Sequence, residues 1–322
     1  MQIVAGGAGF IGTNLIKELI KKGEEIVCID NLSLGSVANL PKYDKLKFLE
    51  CDISNLQELR SICEKWINRD KELKIWHMAA NSDIPAGISD PEIDFKNTFL
   101  TTKNLISLSE DFEFIEFNFA SSSAVYGYHP NVKIKENTGP CLPTSNYGAA
   151  KLASEALLSS FASIKKECKT NIFRFPNVVG NPATHGVIFD FINKLKSNKD
   201  ILNVLGNGSQ KKSYLYVKDL INGMLKLSST EIENNRDFTS PCQIFNLGPN
   251  DNGITVKEIA EAVCAHYNPN AKIIFGESPQ GWPGDIPTFM YDCSKANSLK
   301  WQPIYNSHQA VNLTIREIIE KN

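Results

Sequence analysis

Ile3-Val4-Ala5-Gly6-Gly7-Ala8-Gly9-Phe10-Ile11-Gly12 is the stretch on which the reading of this chain turns. A short apolar run that reads as a strand breaks into glycines three apart, Gly6, Gly9 and Gly12. It then passes directly into a segment with Ile11, Leu15, Leu19 and Ile20 on one face, which is helical spacing. Glycines allow a tight turn and a close approach of backbone to a ligand. The helix that follows offers free N–H groups and the positive end of its dipole to an anion. A Gly-rich loop alone is a weak signal. A loop between strand and helix, with an acid about 20 residues on, is a dinucleotide-binding pattern.

That acid is Asp30, which ends the apolar run Glu25-Ile26-Val27-Cys28-Ile29-Asp30. A carboxylate there bonds ribose hydroxyls and repels a 2′-phosphate, so the cofactor expected is NAD rather than NADP. Asn31 and Leu32 follow it, not a basic pair, which points the same way.

Outward from this unit the chain keeps alternating. Strands are expected at Leu46 to Glu50, Lys74 to Met78 and Phe114 to Ala120. Helices are expected at Leu56 to Ile67, Pro91 to Ser109 and Tyr147 to Lys165. Near-continuous apolar strands separated by helices predict an α/β fold, a Rossmann-type doubly wound parallel sheet covered on both faces. After about Phe175 the prolines and glycines Pro176, Gly180, Pro182, Gly186, Gly206 and Gly208 break the rhythm. The division expected is an NAD-binding domain over 1–175 and a mainly substrate-binding, smaller mixed α/β domain over 176–322. A segment around 214–248 is expected to return to the first.

The chain has 322 residues, 42% of them hydrophobic, enough for a sizeable core, and a formal net charge of -2. That balance gives no long-range attraction to nucleic acid or anionic membrane, and a small-molecule partner is expected instead. No apolar run approaches the roughly 18 residues of a membrane span. The first residues carry no basic region before Gly6, so a cytoplasmic protein is expected. The eight cysteines form no C-x-x-C pair and no histidines cluster at metal spacing, so no metal site and reduced thiols are expected.

Tyr147 and Lys151 lie one helical turn apart. A phenol is too weak an acid to act as a base near neutrality, and a nearby ammonium stabilises its anion. The pair can therefore take a proton from an alcohol while a hydride leaves. Upstream, a strand ends in Ser121-Ser122-Ser123-Ala124-Val125-Tyr126-Gly127, hydroxyls at a strand's carboxyl end. Both features have plainer counterparts, a surface Tyr…Lys pair and turn chemistry.

Together with Asp52-Ile53, His77-Met78-Ala79-Ala80, Phe173 to Gly180, Ser213 to Leu220, Phe245 to Gly248 and Gly281 to Asp285, these motifs run through nearly the whole chain. The sequence resembles the extended short-chain dehydrogenase/reductase family, the NAD-dependent epimerases and dehydratases of nucleotide sugars. The resemblance implies Tyr147 as acid/base, Lys151 as its helper and nicotinamide-ribose ligand, and Ser122 as the hydroxyl that bonds the sugar alcohol. It implies a cofactor groove of Gly6, Gly9, Phe10, Ile11, Gly12, Asp30, Asn31, Asp52, Ile53, Ala79, Ala80 and Asn97. Substrate contacts are implied for Ser122, Ser123, Asn177, Lys212 and Trp282.

Family dehydratases carry Asp-Glu where this chain has Ser123 and Ala124. Without two carboxyl groups a 4,6-dehydratase is disfavoured, and the resemblance is to the 4-epimerases. A 4-dehydrogenase or reductase that releases the keto sugar would use the same residues and stays open. Many epimerases place Arg where Lys212 and Trp282 stand; Lys212 keeps charge without bidentate geometry. The nucleotide, UDP or GDP, and the hexose or heptose it carries therefore stay open. Family habit also implies a homodimer built on helices 91–109 and 147–165, and a role in supplying surface polysaccharide.

Overall fold

A computed structural model describes residues 1–129, 132–183, 185–230, 242–279 and 289–320. The chain divides into two compact units. Met1–Val125, Cys141–Arg174 and Met224–Phe245 make the first; Tyr126–Pro140, Phe175–Gly223 and Asn246–Asn322 make the second.

In the first unit the chain runs β1 (Gln2–Ala5), α1 (Phe10–Lys21), β2 (Ile26–Asp30), β3 (Leu46–Glu50), α2 (Leu56–Trp66) and β4 (Leu73–His77). It continues through α3 (Ile84–Ser89), α4 (Pro91–Asp94), α5 (Thr101–Ser107), β5 (Phe114–Ala120), α6 (Asn146–Ile164), β6 (Lys169–Arg174) and β7 (Gln243–Asn246). The seven strands form one sheet in the order β7-β6-β5-β4-β1-β2-β3. All pairings among β1–β6 are parallel. This is the expected Rossmann-type sheet, with its strand order reversing between β1 and β4, where ligands of such sheets bind. β1, β2, β4, β5 and β6 are largely buried because crossover helices cover them, while the edge strand β3 is mostly not. Ile3, Ala5, Val27, Ile29, Ile75, Phe117 and Phe119 pack with Leu59, Leu105, Leu158 and Phe161 from the helices in one core cluster.

The helix expected over 91–109 is wound in three ways. α4 gives way to a π-helical stretch, Phe95–Leu100, before α5, and a 3-10 turn, Leu108–Glu110, closes the run. The wide turn falls where Thr98, fully buried, accepts the backbone N–H of Asn81 on its hydroxyl at 3.1 Å. π-turns of this kind mark places where a helix has been re-aimed.

The second unit has its own core, including Ile188, Phe191, Leu195, Leu202, Tyr214, Ile259, Val263, Val311 and Ile315. Its strands form short ladders: 177–179 with 214–216, 201–204 with 272–275, 211–212 with 254–255, and 133–134 with 290–291. Helices Val187–Ser197, Val256–Tyr267 and Ser307–Glu320 pack in it. It is a mixed α/β unit. Among the described residues no helix is long and apolar enough to cross a membrane.

Candidate active site

The glycine turn is shaped by close packing of backbone on backbone. Gly6 has φ +75°, and a Cβ there would sit 2.5 Å from the Ala79 nitrogen, so the segment after β4 lies directly against it. A Cβ on Gly12 would sit 2.2 Å from the Gly6 carbonyl oxygen, which brings the first turn of α1 onto the loop. Gly9 differs. Its Cβ would meet only the Gly6 oxygen, at 3.3 Å, so one side of the loop stays open. Gly9 is also the N-cap of α1, no side chain caps that end, and no acid lies in the first turn, which includes Phe10 and Ile11. Free N–H groups beside an open backbone surface fit a pyrophosphate.

Asp30 closes the other side. Its Oδ2 accepts from the Ala8 N–H at 3.0 Å and its Oδ1 from the Leu32 N–H at 2.8 Å. Burial pushes its carboxyl above the usual range, against the pull of the Leu32, Ala8 and Gly9 N–H groups. Asn31 is exposed, its Oδ1 accepting from Ser33 N–H at 3.1 Å. At the end of β3, Asp52 pairs with Lys96 at 3.0 Å and accepts from Ser54 Oγ at 2.7 Å. Burial works to raise the Asp52 carboxyl, and the Ser54 hydroxyl and Lys96 outweigh it, so it lies below the usual range. The Ile53 side chain is buried and its carbonyl accepts Asn104 Nδ2 at 2.9 Å. Ala79 and Ala80 are half-buried. Asn97 is half-buried too, while the bond to the segment after β4 comes from its neighbour Thr98.

The second cluster forms at the carboxyl end of β5. Ser122 follows the strand, and its Oγ accepts the Ala124 N–H at 3.2 Å, fixing the turn. α6 begins under a Ser145 cap that accepts from Gly148 N–H at 3.1 Å. A Cβ on Gly148 would sit 2.6 Å from the Ala124 carbonyl oxygen, so glycine lets the first turn of α6 touch the serine turn. That approach brings the half-buried Tyr147 beside Ser122, whose hydroxyl works to lower the phenol. One turn on, Lys151 is 2% exposed, donates to the Ala120 carbonyl at 2.5 Å, and holds its Nζ 5.9 Å from the centre of the Tyr147 ring.

Burial works against charge on both members of the pair. Burial pushes the Tyr147 phenol up to about 12; the Ser122 hydroxyl lowers it and the Asp94 carboxylate raises it. Burial also pulls the Lys151 ammonium down to about 7, against Glu155 and Asp94, which favour the charged form. The Lys151 amine donates to the Ala120 carbonyl while its Nζ stands 5.9 Å from the centre of the Tyr147 ring.

The family model for the NAD dependent epimerase/dehydratase family matches residues 2–248. The chain belongs to that family. Its cofactor is NAD, and the open face at Gly9 and the carboxylate of Asp30 fit one. Among curated relatives, a UDP-glucose 4-epimerase of Lacticaseibacillus casei is 27% identical, covering 94% of this chain and 92% of that protein. Among solved structures, a UDP-galactose 4-epimerase is 29% identical with a TM-score of 0.83, covering 100% of this chain and 99% of that one. A UDP-glucose 4-epimerase from Thermotoga maritima, solved with UDP-glucose, is 25% identical with a TM-score of 0.83, over 100% and 99% of the two chains.

The remaining expected positions of this family member fall as follows. Ser123 is half-buried in the serine turn. In the second unit, Asn177 is exposed at the start of strand 177–179, in register with Tyr214, two residues after the half-buried Lys212. Lys212 itself lies in the neighbouring ladder, paired with Ile254. Trp282, with the rest of Gly281 to Asp285, lies outside the described residues.

Several polar residues beneath the pair escaped sequence reasoning. Glu155 and Arg174, 4% exposed each, pair through Arg174 Nη2 at 2.5 Å and Nε at 2.9 Å, and Ser121 Oγ also donates to Glu155. His77, fully buried, bonds the Thr102 hydroxyl at 2.8 Å and is held neutral by burial and by the nearby Lys151. A Glu one turn after Lys151 on a largely apolar helix was the available signal.

Proposed function

We propose that the protein is a nucleotide-sugar 4-epimerase, oxidising the C4 hydroxyl of the sugar and returning hydrogen to the opposite face. The observation that carries this reading is the Gly148–Ala124 approach that sets Tyr147 at the serine turn of Ser122, with Lys151 buried one turn on and the next two residues of that turn, Ser123 and Ala124, bearing no carboxyl group. Two carboxyl groups are what elimination of water would need.

The chemistry that bound NAD supplies is hydride acceptance and return at its nicotinamide ring. Ser122 orients the sugar hydroxyl toward the phenol oxygen. Tyr147 accepts the hydroxyl proton as phenolate and gives it back to the same oxygen when the ketone is reduced again, so no net proton is consumed. A phenol at about 12 is a poor base, and Lys151 must be charged and turned toward Tyr147 to bring it into range. Asp30 holds the adenosine ribose, and the first turn of α1 the pyrophosphate. In the second unit, Asn177 would offer an amide and Lys212 a cation to the nucleotide's phosphates. The sugar nucleotide is taken as UDP-linked, as in the names of the relatives, and the enzyme as a cytoplasmic homodimer.

The test is to incubate pure enzyme with UDP- and GDP-linked sugars, following the product by NMR and reduced nicotinamide by absorbance. An epimer without accumulated NADH is expected. A released keto sugar with the enzyme left as NADH would make it a 4-dehydrogenase. Tyr147→Phe is expected to lose roughly a hundredfold or more in kcat, the usual size of acid/base assistance; unchanged turnover would refute the role of Tyr147.

A further inference from the structure

Beside Tyr147 lies a carboxyl group that the proposed chemistry leaves unused. Asp94, the last residue of α4, is 1% exposed. Its Oδ1 accepts Asn81 Nδ2 at 2.9 Å, while its Oδ2 is buried with no hydrogen-bond partner among the described residues. Asn81 also donates to the Asp83 carbonyl at 2.9 Å and accepts the Asp83 N–H on its Oδ1 at 3.0 Å. It thus ties Asp94 to the residue that caps α3.

The orphaned Oδ2 rests on α3 itself. A Cβ built on Gly87 would sit 1.8 Å from that oxygen, so the carboxyl occupies the space a side chain would fill. The Gly87 carbonyl in turn accepts Asn146 Nδ2 at 2.9 Å. Asn146 is the first residue of α6 and immediately precedes Tyr147. A continuous path of contacts therefore runs from Asp94 through Gly87 and Asn146 to the phenol.

As a stabilising device this arrangement makes little sense. A buried carboxylate with one donor is costly, and a small apolar residue would fill the place more cheaply. Unsatisfied buried groups that persist call for an explanation beyond packing.

We propose that Asp94 is a positioning residue for Tyr147: anchored by Asn81 and seated on Gly87, it fixes the carbonyl that holds Asn146, and its charge faces the Tyr147–Lys151 pair. The inference rests on Tyr147 being the acid/base group. The charged groups around the phenol are Asp94 from α4 and Lys151 from α6; those around Lys151 are Asp94 and Glu155, the latter paired with Arg174 of β6. Asp83 faces Asp94, and His77 faces Lys151 as a neutral ring. Asp94 raises the phenol and favours the ammonium, so it holds the proton on the pair until substrate and cofactor arrive.

Asp94→Asn keeps the shape and removes the charge. In the NAD-bound enzyme the tyrosinate absorbance of residue 147, with Tyr147→Phe as the blank, is expected to titrate lower by roughly half a unit to one unit, the reach of one carboxylate in a partly solvated site. The acidic limb of the kcat profile should move with it while KM stays within about twofold. Asn146→Ala, at an exposed position, breaks the link without touching a charge. It should lower kcat roughly tenfold, as a small misplacement of the acid/base group does, and leave the tyrosinate midpoint where it was. An unmoved midpoint in Asp94→Asn, or an unchanged kcat in Asn146→Ala, would overturn the proposal. If Asp94→Asn does not fold, Asn146→Ala decides. If Tyr147→Phe keeps its turnover, the acid/base reading fails, and the absorbance titration still reports whether the Asp94 charge reaches the ring.

Discussion

Between β1 and β2 the chain is shaped by missing side chains; between β5 and β6 it is shaped by polar side chains that have nowhere else to go. Gly6 and Gly12 bring backbone within contact of backbone, and the only carboxylate in that turn, Asp30, is satisfied by backbone N–H groups. In the other half of the sheet, Asn118 bonds Glu116 at 2.7 Å and Asn171 bonds Asn118 at 2.9 Å, a polar file across two buried strands. Beneath α6 the Glu155–Arg174 pair sits next to Lys151. The first region fails by steric collision, and the second by leaving a charge alone. Steric damage is local and tolerant of pH. Electrostatic damage spreads through shared partners and varies with protonation.

The largest effect should come from separating the buried pair. Glu155→Leu removes the buried carboxylate that pairs with the Arg174 guanidinium and accepts from the Ser121 hydroxyl, and should cost about 3–5 kcal/mol of stability by denaturant unfolding. Adding Arg174→Met should recover most of that loss, since two apolar residues replace two charges. Should the double variant be no better than the single, the pair's worth is its shape rather than its charge balance.

Gly12→Ala comes next. Its Cβ would fall 2.2 Å from a backbone oxygen that cannot rotate away, so the α1 turn must move. A loss of roughly 2–3 kcal/mol is expected, the size of overpacking a rigid site, with the same midpoint shift at pH 6 and pH 9. A pH-dependent loss would mean that the turn is electrostatically coupled, against the contrast drawn above.

Lys151→Met should do the opposite of both. Burial holds the folded ammonium at about 7, below the 10.5 of an ordinary lysine, so folding disfavours the charged form. The unfolded chain therefore binds more protons between these values. The resulting penalty is full below pH 7 and fades as pH rises toward 10.5. At pH 6 the variant should be more stable than the parent by roughly 1–3 kcal/mol, shrinking with rising pH, while turnover is lost. Equal stabilities at pH 6 would show that the Ala120 hydrogen bond and the nearby carboxylates already offset the burial.

This difference also explains what could be read from the sequence. Gly6, Gly9, Gly12 and Asp30 were legible because a turn of fixed backbone geometry admits few residues at fixed spacing. The strands of the sheet were legible as apolar runs. Next to Asn97, the π-helical stretch puts Thr98 against the segment after β4, and in a helix one residue is a rotation of about 100°. No spacing rule reveals a wide turn. Nor does any motif say that Lys151 donates to the Ala120 carbonyl, or that its charge is set by burial and by Glu155 and Asp94, the latter 57 residues away in the chain. Asp94 reads in the sequence as one more acid near a helix start.

Gly9→Ala is the smallest change and the sharpest test of the glycine half. Its methyl would meet only the Gly6 oxygen, at 3.3 Å, a tight contact that a shift of a few tenths of an ångström relieves, against the 2.2 Å collision at Gly12. Stability should change by no more than about 0.5 kcal/mol. The open side is where a pyrophosphate would approach the backbone, and a methyl there keeps it away from the N–H groups of the first turn. Affinity for NAD, measured by calorimetry, should therefore fall at least about tenfold while the unfolding midpoint holds. Gly12→Ala, by contrast, should lose both together. If Gly9→Ala binds NAD as the parent does, the open face at Gly9 is not the phosphate site, and the pyrophosphate must sit elsewhere along the loop. If it loses stability as Gly12→Ala does, then Gly9 serves the same steric purpose as its neighbours, and the three glycines act as one packing device.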